Sequence, residues 1–223
     1  MPTTEPPARI VAVVHTKGGV GKTTAAGLSA YALHERGLRV LAVDADPQQS
    51  LWGWHADAPF PFRIACLPSK RLHLDVPGNV GRAQVVVIDT PGTEHGRPIT
   101  LSALLAATHV LVPMAPTGIE HREMHAVRRL LNEAADLRPG SPAAYGVLMV
   151  KVRGGAASGP AFRAQLDADG WPVLRGEARM LERYAQAYGF PVEGAARTAY
   201  GDAIAELLDL DRVAHHHRRE GTA

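Results

Sequence analysis

Short continuous runs of apolar residues recur along the chain, and stretches with a helical spacing of apolar positions separate them. Such runs are typical of strands that are buried on both faces of a parallel sheet. The predicted strands cover residues 10–14, 39–43, 63–67, 84–88, 109–114, 144–152 and 171–174. The predicted helices cover residues 25–35, 50–57, 99–108, 119–135, 161–168 and 203–214. This alternation predicts an α/β fold in which helices cover both faces of a mostly parallel twisted sheet.

Two segments do not follow this alternation clearly. Residues 69–82 contain Pro77 and Gly78, so we expect a surface connection there with little helix. Residues 175–189 carry arginines at four-residue spacing, at Arg175, Arg179 and Arg183. In a helix the last two of these would lie on one face.

A glycine-rich loop lies between the first predicted strand and the first predicted helix. It reads Lys17-Gly18-Gly19-Val20-Gly21-Lys22-Thr23-Thr24. Glycines let backbone N–H groups close around phosphate oxygens, and the N-terminus of the following helix adds positive potential. In such a loop Lys22 reaches the outer phosphates and the Thr23 hydroxyl ligates Mg²⁺. The sequence therefore predicts a nucleoside triphosphate site.

Aspartates follow two of the predicted strands. Asp44 and Asp46 come after the second strand, and Asp89 ends the fourth. Because ligands of open α/β sheets bind beyond the carboxyl ends of the strands, these carboxylates suit Mg²⁺ and water. Gly92 offers an N–H group to the γ-phosphate, which makes residues 89–95 a candidate nucleotide-sensing switch. An alternative for the turn at residues 44–49 is a helix N-cap, and one turn can serve both roles.

The loop departs from the usual phosphate loop in two ways. Thr16 stands where the usual pattern has glycine, and a second lysine, Lys17, follows it. Together with the Asp-x-Asp-Pro-Gln turn at residues 44–48 and the Asp-Thr-Pro at residues 89–91, this resembles the deviant Walker A ATPases of the ParA/MinD family. The resemblance is greatest to the small ParA-type partition proteins and covers nearly the whole chain. It implies one P-loop NTPase domain over residues 1–223, with residues 1–8 and 215–223 as flexible ends.

The resemblance also implies roles for individual residues. Lys17 would cross a dimer interface to nucleotide held by the partner subunit, and Lys17, Lys22 and Asp46 would be the catalytic residues. Asp46 would orient the attacking water, and Thr23, Asp44 and Asp89 would form the magnesium site. The expected cofactors are ATP and Mg²⁺, and the expected reaction is slow hydrolysis of ATP to ADP and phosphate. The implied nucleotide contacts are Lys17, Gly18, Gly19, Val20, Gly21, Lys22, Thr23, Thr24 and Gly92.

The same resemblance implies a partition cycle. The ATP-bound protein would form a sandwich homodimer that holds nonspecific DNA, and a ParB-like centromere-binding adaptor would stimulate hydrolysis and reset it. The protein would then be cytoplasmic, and associated with the nucleoid while ATP is bound. The candidate DNA contacts are Arg175, Arg179 and Arg183, although Glu177 and Glu182 offer them an alternative as ion-pair partners.

One position departs from the family pattern. Many relatives end the sixth strand with an asparagine that reads the adenine edge, and the comparable position here is Val150, followed by Lys151. Recognition of the base must therefore come from backbone groups or from another loop.

Composition limits the alternatives. A net charge of +2 gives no strongly basic chain, and one cysteine, Cys66, excludes an intrachain disulfide framework or a cluster held by paired thiolates. No apolar run is long enough to span a membrane, and the N-terminus lacks the apolar segment of a signal peptide.

Three other functions remain open at this point. The first is an orphan ATPase of the same family that positions a different cargo. The second is a MinD-like membrane protein, which the acidic residues Glu206, Asp209 and Asp211 in the last helix disfavour. The third is a ligase of the dethiobiotin synthetase type, which the turn at residues 44–48 and the paired lysines disfavour. The basic end at His215-His216-His217 is expected to be solvated.

Overall fold

A seven-stranded parallel sheet forms the centre of the protein. The computed structural model describes residues 7–138 and 140–220, with side chains described as far as Asp209. In space the strands follow the order β3-β2-β4-β1-β5-β6-β7, and every neighbouring pair is parallel. The strands are β1 Arg9–Val13, β2 Val40–Asp44, β3 Arg63–Cys66, β4 Val85–Asp89, β5 His109–Met114, β6 Ala144–Val152 and β7 Val173–Arg179.

Helices cover both faces of this sheet, as the alternation of strand and helix predicts. They are α1 Lys22–Glu35, α2 Ser50–Asp57, α3 Leu72–Asn79, α4 Arg97–Ala106, α5 Gly118–Leu137, α6 Ser158–Ala168, α7 Glu182–Ala185 and α8 Ala199–Glu220. One apolar core joins the sheet to α1, α2 and α8, and a second joins it to α3, α4, α5 and α6. The predicted three-layer α/β architecture is therefore confirmed.

The register of the central strands places the functional residues. In the pairing of β4 with its two neighbours, Asp89 lies opposite Val13 of β1 and opposite Asp44 of β2. Both aspartates and the last residue of β1 therefore end at the same level of the sheet. The loop that follows β1 begins at this level and leads into α1.

The segment at residues 69–82 is more regular than its proline and glycine indicate. Helix α3 forms there, and Leu72 and Val76 are fully buried against the second core. The expectation of a surface connection was wrong because Pro77 and Gly78 lie in the last turn of α3, where they end the helix without preventing its first turn.

The segment with the spaced arginines is a strand rather than a helix. Leu174 and Ala178 are buried while Arg175 and Arg179 are exposed, so burial alternates as expected for the edge strand β7. A four-residue spacing fits one face of a helix and also one face of a strand, and the pairing of β7 with β6 decides between them. The predicted helical stripe is therefore wrong, and only Arg183 lies in a helix, the single turn α7.

The two chain ends carry little further information. Residues 1–6 of the predicted flexible leader, and the side chains of Asp211 and of His215-His216-His217, lie outside the described part. No helix in the part of the chain that the structure describes is long and apolar enough to cross a membrane.

Candidate nucleotide-binding site

The loop between β1 and α1 has the shape of an anion site. Gly19 and Gly21 adopt φ angles of +76° and +106°, a left-handed conformation that favours glycine. Lys22 begins the 14-residue helix α1, so the N–H groups of its first turn face the space enclosed by the loop. The local sequence thus folds into a cradle of backbone donors at a helix N-terminus.

The two loop lysines point in different directions. Lys22 is buried, and its Nζ donates a hydrogen bond to the Lys17 carbonyl at 3.0 Å. Burial lowers the pKa of Lys22, and the nearby Asp89, Asp46 and Glu120 carboxylates oppose this effect. The side chain of Lys17 is 41% exposed, and its Nζ lies 2.8 Å from Oε1 of Glu120.

Glu120 joins Lys17 to a buried histidine. Nδ1 of His15 accepts a hydrogen bond from the Lys17 backbone N–H at 3.0 Å, and Nε2 of His15 lies 3.5 Å from Oε2 of Glu120. Burial lowers the pKa of His15 to about 4, although Glu120 acts in the opposite direction. The ring is therefore neutral near pH 7 and carries its proton on Nε2, facing the carboxylate.

The sequence motifs give no site role to His15 or Glu120. Thr117 caps α5 by accepting a hydrogen bond from the Glu120 N–H at 3.3 Å. The spacing Thr117-x-x-Glu120 is that of a capping box, which marks a helix start and does not indicate a contact with the loop. The Glu120 carboxylate turns instead to Lys17, which is 103 residues away in the chain.

Gly92 lies directly against the loop. A Cβ atom at this position would be 2.2 Å from Lys22 Nζ and 2.8 Å from the Lys17 carbonyl oxygen. Only a residue without a side chain fits there unless the loop or the segment after β4 moves. The structure therefore brings the candidate switch into contact with both lysines of the loop.

Asp89 is the best candidate for a metal ligand. It is fully buried, and neither carboxylate oxygen has a hydrogen bond of normal geometry among the described residues. Burial raises its pKa to about 7, and the neighbouring Thr23 hydroxyl and Lys22 partly offset that effect. A buried carboxyl group whose oxygens make no regular hydrogen bond favours binding of a ligand, and Mg²⁺ prefers carboxylate and hydroxyl oxygens. Asp89 and Thr23 thus fit the predicted magnesium site.

The other two aspartates already have partners. Asp44 accepts hydrogen bonds from the backbone N–H groups of Asp46, at 3.0 Å, and Trp52, at 2.8 Å. Asp46 accepts one from the Gln48 N–H at 2.9 Å and remains half-buried at the edge of the site. The N-cap of α2 is Gln49, which makes no side-chain cap hydrogen bond, so neither aspartate is the N-cap that the alternative predicted. Asp44 instead accepts from a backbone N–H of the first turn of α2, and it has less freedom than Asp89 to bind a cation.

Lys151 is a further lysine at the site that the sequence did not assign. Its Nζ donates a hydrogen bond to the Gly19 carbonyl at 2.5 Å, across 132 residues of sequence. Val150, the position where an asparagine is expected in relatives, is buried in the core.

The three candidate DNA contacts differ in their partners. Arg175 pairs with Glu206 of α8 at 3.4 Å. Glu177 pairs with Arg163 rather than with these arginines, and Glu182 contacts Gln186. Among the described residues Arg179 has no ion pair, and Arg183 contacts only the neighbouring Tyr184 through its hydroxyl and ring.

The amino-acid sequence is similar to one family model and to several named proteins. A family model described as an AAA domain matches residues 8–52, the region from β1 into α2. The protein named Maintenance of carboxysome distribution protein A from Gloeobacter kilaueensis is 39% identical over 114 residues, which span 50% of this chain and 51% of that protein. Its namesake from Halothiobacillus neapolitanus is 29% identical over 89% of this chain and 94% of that protein. The chromosome-partitioning ATPase Soj of Thermus thermophilus is 29% identical over 86% of this chain and 90% of Soj.

Solved structures share the fold. The apo McdA structure from Cyanothece superposes with a TM-score of 0.73 at 16% identity, over 91% of this chain and all of that one. The septum site-determining protein MinD of Pyrococcus horikoshii, solved with Mg-ADP, gives 0.68 at 20% identity, over 93% and 98%. At such identities the likeness establishes the common architecture.

Proposed function

The chain belongs to the ParA/MinD-type family of P-loop ATPases, and on this basis we propose that it is a ParA-type partition ATPase. Members of this family hydrolyse ATP. In the proposed cycle, ATP and Mg²⁺ join two chains into a sandwich dimer, the dimer holds nonspecific DNA, and hydrolysis returns the chains to monomers. A ParB-like DNA-bound adaptor would accelerate this last step. The protein would work in the cytoplasm and on the nucleoid.

The observation that carries this proposal is that the two loop lysines, Lys17 and Lys22, differ in burial and in the groups they contact. Lys22 is buried beside Asp89, whereas Lys17 is partly exposed and pairs with Glu120 of α5. A single phosphate site needs one lysine of this kind, and Lys22 supplies it. Lys17 is therefore free to serve a second nucleotide, the one bound to a partner chain, once it leaves Glu120.

Several residues of the described site support the proposed chemistry. The backbone cradle at Gly19–Gly21 and Lys22 would hold the phosphates, while Thr23 and Asp89 would hold Mg²⁺ with Asp44 behind them. Bound Mg²⁺ neutralises charge that develops on the phosphoryl oxygens. Asp46, half-buried at the edge of the site, would orient the attacking water. Because phosphoryl transfer needs little covalent chemistry from protein, this positioning and the lysine charges supply most of the catalysis.

The DNA contact would be electrostatic and independent of sequence. Arg179 and Arg183 are exposed and have no carboxylate partner in the described part of the chain, which leaves their charge available to phosphates. Arg175 would contribute less because Glu206 already neutralises it.

A second candidate function keeps the same cycle and changes the cargo. Two of the relatives above are named for the distribution of carboxysomes, and one of them aligns over 94% of its length. In this version an adaptor on a protein assembly, rather than a centromere-binding protein, would stimulate hydrolysis. The two versions differ in the adaptor and share every residue of the nucleotide site.

Two substitutions test the nucleotide cycle. We expect Lys22→Ala to lose ATP binding, since the outer phosphates lose their buried cation. We expect Asp46→Ala to bind ATP as tightly as the wild type and to accumulate as a dimer in ATP, because only hydrolysis is impaired. Fluorescent-nucleotide titration and size-exclusion chromatography measure both effects. Monomeric Asp46→Ala protein in saturating ATP would contradict the assigned role.

A further inference from the structure

Lys151 holds an unfavourable backbone conformation at the carboxyl end of β6. Its φ of +54° lies in the left-handed region, and Gln49 is the other residue besides glycine in that region within the described ranges. Such a conformation costs free energy for a residue with a side chain, so surrounding contacts must maintain it. Here the contact is made by the Lys151 side chain itself, which reaches the phosphate loop.

The side chain covers the outer side of this loop. Nζ donates to the Gly19 carbonyl at 2.5 Å, and Cε would lie 4.0 Å from a Cβ atom placed on Gly21. Lys151 is exposed, and no carboxylate among the residues described forms an ion pair with it. Its positive charge therefore remains uncompensated at the rim of the site. Three of the four lysines in the chain thus lie in or on this loop.

The hydrogen bond fixes the orientation of one peptide group. The Gly19 carbonyl and the Val20 N–H belong to the same planar trans peptide, so they point in opposite directions. Holding the carbonyl from outside directs the Val20 N–H away from Lys151. Glycine lets this peptide rotate at little cost, because Gly19 has no side chain to restrict it. Without Lys151, the loop would sample orientations that withdraw this donor from an anion.

We propose that Lys151 is a positioning residue for nucleotide binding, one that locks the Gly19–Val20 peptide in its phosphate-binding orientation and adds a third cation to the site. This inference rests on the proposed function. Because the contact exists before nucleotide binds, Lys151 stabilises the ground state and the transition state alike. Its loss raises KM for ATP and weakens ADP to a similar degree, with little change in kcat.

Three substitutions at this position separate the role from a purely structural one. Lys151→Met removes the donor and keeps the stem, Lys151→Gly also relieves the backbone strain, and Lys151→Arg restores a cationic donor. The matched control is Lys70→Met, which makes the same charge change at an exposed lysine outside the loop. Calorimetric titration of the full chain with Mg-ADP gives the affinity, and thermal unfolding without nucleotide gives the stability.

We expect about tenfold weaker Mg-ADP binding for Lys151→Met and Lys151→Gly, and near wild-type binding for Lys151→Arg and Lys70→Met. The Tm of Lys151→Gly should equal or exceed that of the wild type. This variant would then bind Mg-ADP more weakly without being less stable. Wild-type affinity in both Lys151→Met and Lys151→Gly would overturn the inference. It would also be overturned if Lys151→Met, Lys151→Gly and Lys151→Arg all lost affinity and Tm together. A wild-type protein that binds no Mg-ADP would instead contradict the proposed function.

Discussion

Burial makes the ionised form of the Asp89 carboxyl group unfavourable. Its buried carboxyl group has a pKa of about 7, mainly because burial penalises the ionised form. In the unfolded chain the same group titrates near its ordinary value of 3.8. Below about pH 4 both states hold the proton, and between pH 4 and pH 7 only the folded state does. The contribution of Asp89 to stability is therefore present at low pH and is lost as pH rises through 7.

This sign leads to a prediction for Asp89→Asn in the nucleotide-free protein. The variant should gain stability over the wild type as pH rises from 4 to 7, and the gain should level off above pH 7. A few kcal/mol is the expected scale, since each pKa unit corresponds to about 1.4 kcal/mol. Urea unfolding at pH 5 and pH 8 measures it, with the exposed Asp57→Asn as control. An equal difference at both pH values would contradict the assignment of a raised pKa to the buried Asp89 carboxyl group.

At the scale of elements, helix α5 and the phosphate loop are joined by Glu120. The carboxylate is buried, and it neutralises Lys17 at 2.8 Å while facing the neutral His15 ring. Lys17 must leave this partner in order to reach a second nucleotide. The contact therefore opposes dimer formation until bound nucleotide offers Lys17 a stronger anion.

We predict that Glu120→Gln strengthens nucleotide-dependent dimerisation, by about tenfold. Glutamine has nearly the same shape but lacks the charge that holds Lys17, so the lysine is released at lower cost. Sedimentation at a series of protein concentrations, with a nonhydrolysable ATP analogue, gives the dimer dissociation constant. Glu133→Gln serves as the control because Glu133 lies on the same helix but pairs with Arg97. Weaker dimerisation in Glu120→Gln would show that Glu120 supports the dimer.

The elements also show what the sequence alone can predict. The bounds predicted for α2, β5 and β6 agree with the structure because uninterrupted local patterns define them. The strand predicted at residues 171–174 covers only the start of β7, because the arginine spacing after it suits both a helix and a strand, and pairing with β6 decides between them. Residues 17–24 and Asp89 come from short contiguous motifs. Glu120 and Lys151 reach the loop from 103 and 132 residues away, a proximity that only the tertiary fold creates.

For the whole molecule, a net charge of +2 is too small to attract DNA strongly, so any DNA binding depends on local clusters of basic residues. Arg179 follows the buried Ala178 at the end of the edge strand β7, and Arg183 lies one turn further along in α7. Arg179 is the last residue of β7 and Arg183 follows it, so both lie toward the carboxyl ends of the parallel strands, the end of the sheet at which the phosphate loop also begins.

We predict that Arg179→Glu combined with Arg183→Glu weakens salt-sensitive DNA retention at least tenfold and leaves nucleotide-driven dimerisation intact. Each reversal replaces attraction to a phosphate with repulsion, and the slope of affinity against salt concentration should fall. Fluorescence anisotropy with two unrelated duplexes measures the effect. Arg71→Glu, at an exposed arginine outside β7 and α7, is the charge-reversal control. Unchanged affinity in the double variant would remove these arginines from the DNA surface.

If Lys17 lets ATP bridge two chains, the mass of the particle in solution will depend on this lysine. Light scattering should be recorded with Mg²⁺ and a saturating nonhydrolysable ATP analogue, for the wild type and for Lys17→Ala. We expect particles of two 23.8-kDa chains for the wild type, and single chains that still bind nucleotide for Lys17→Ala. Wild-type particles of one chain at saturation would contradict such a bridge.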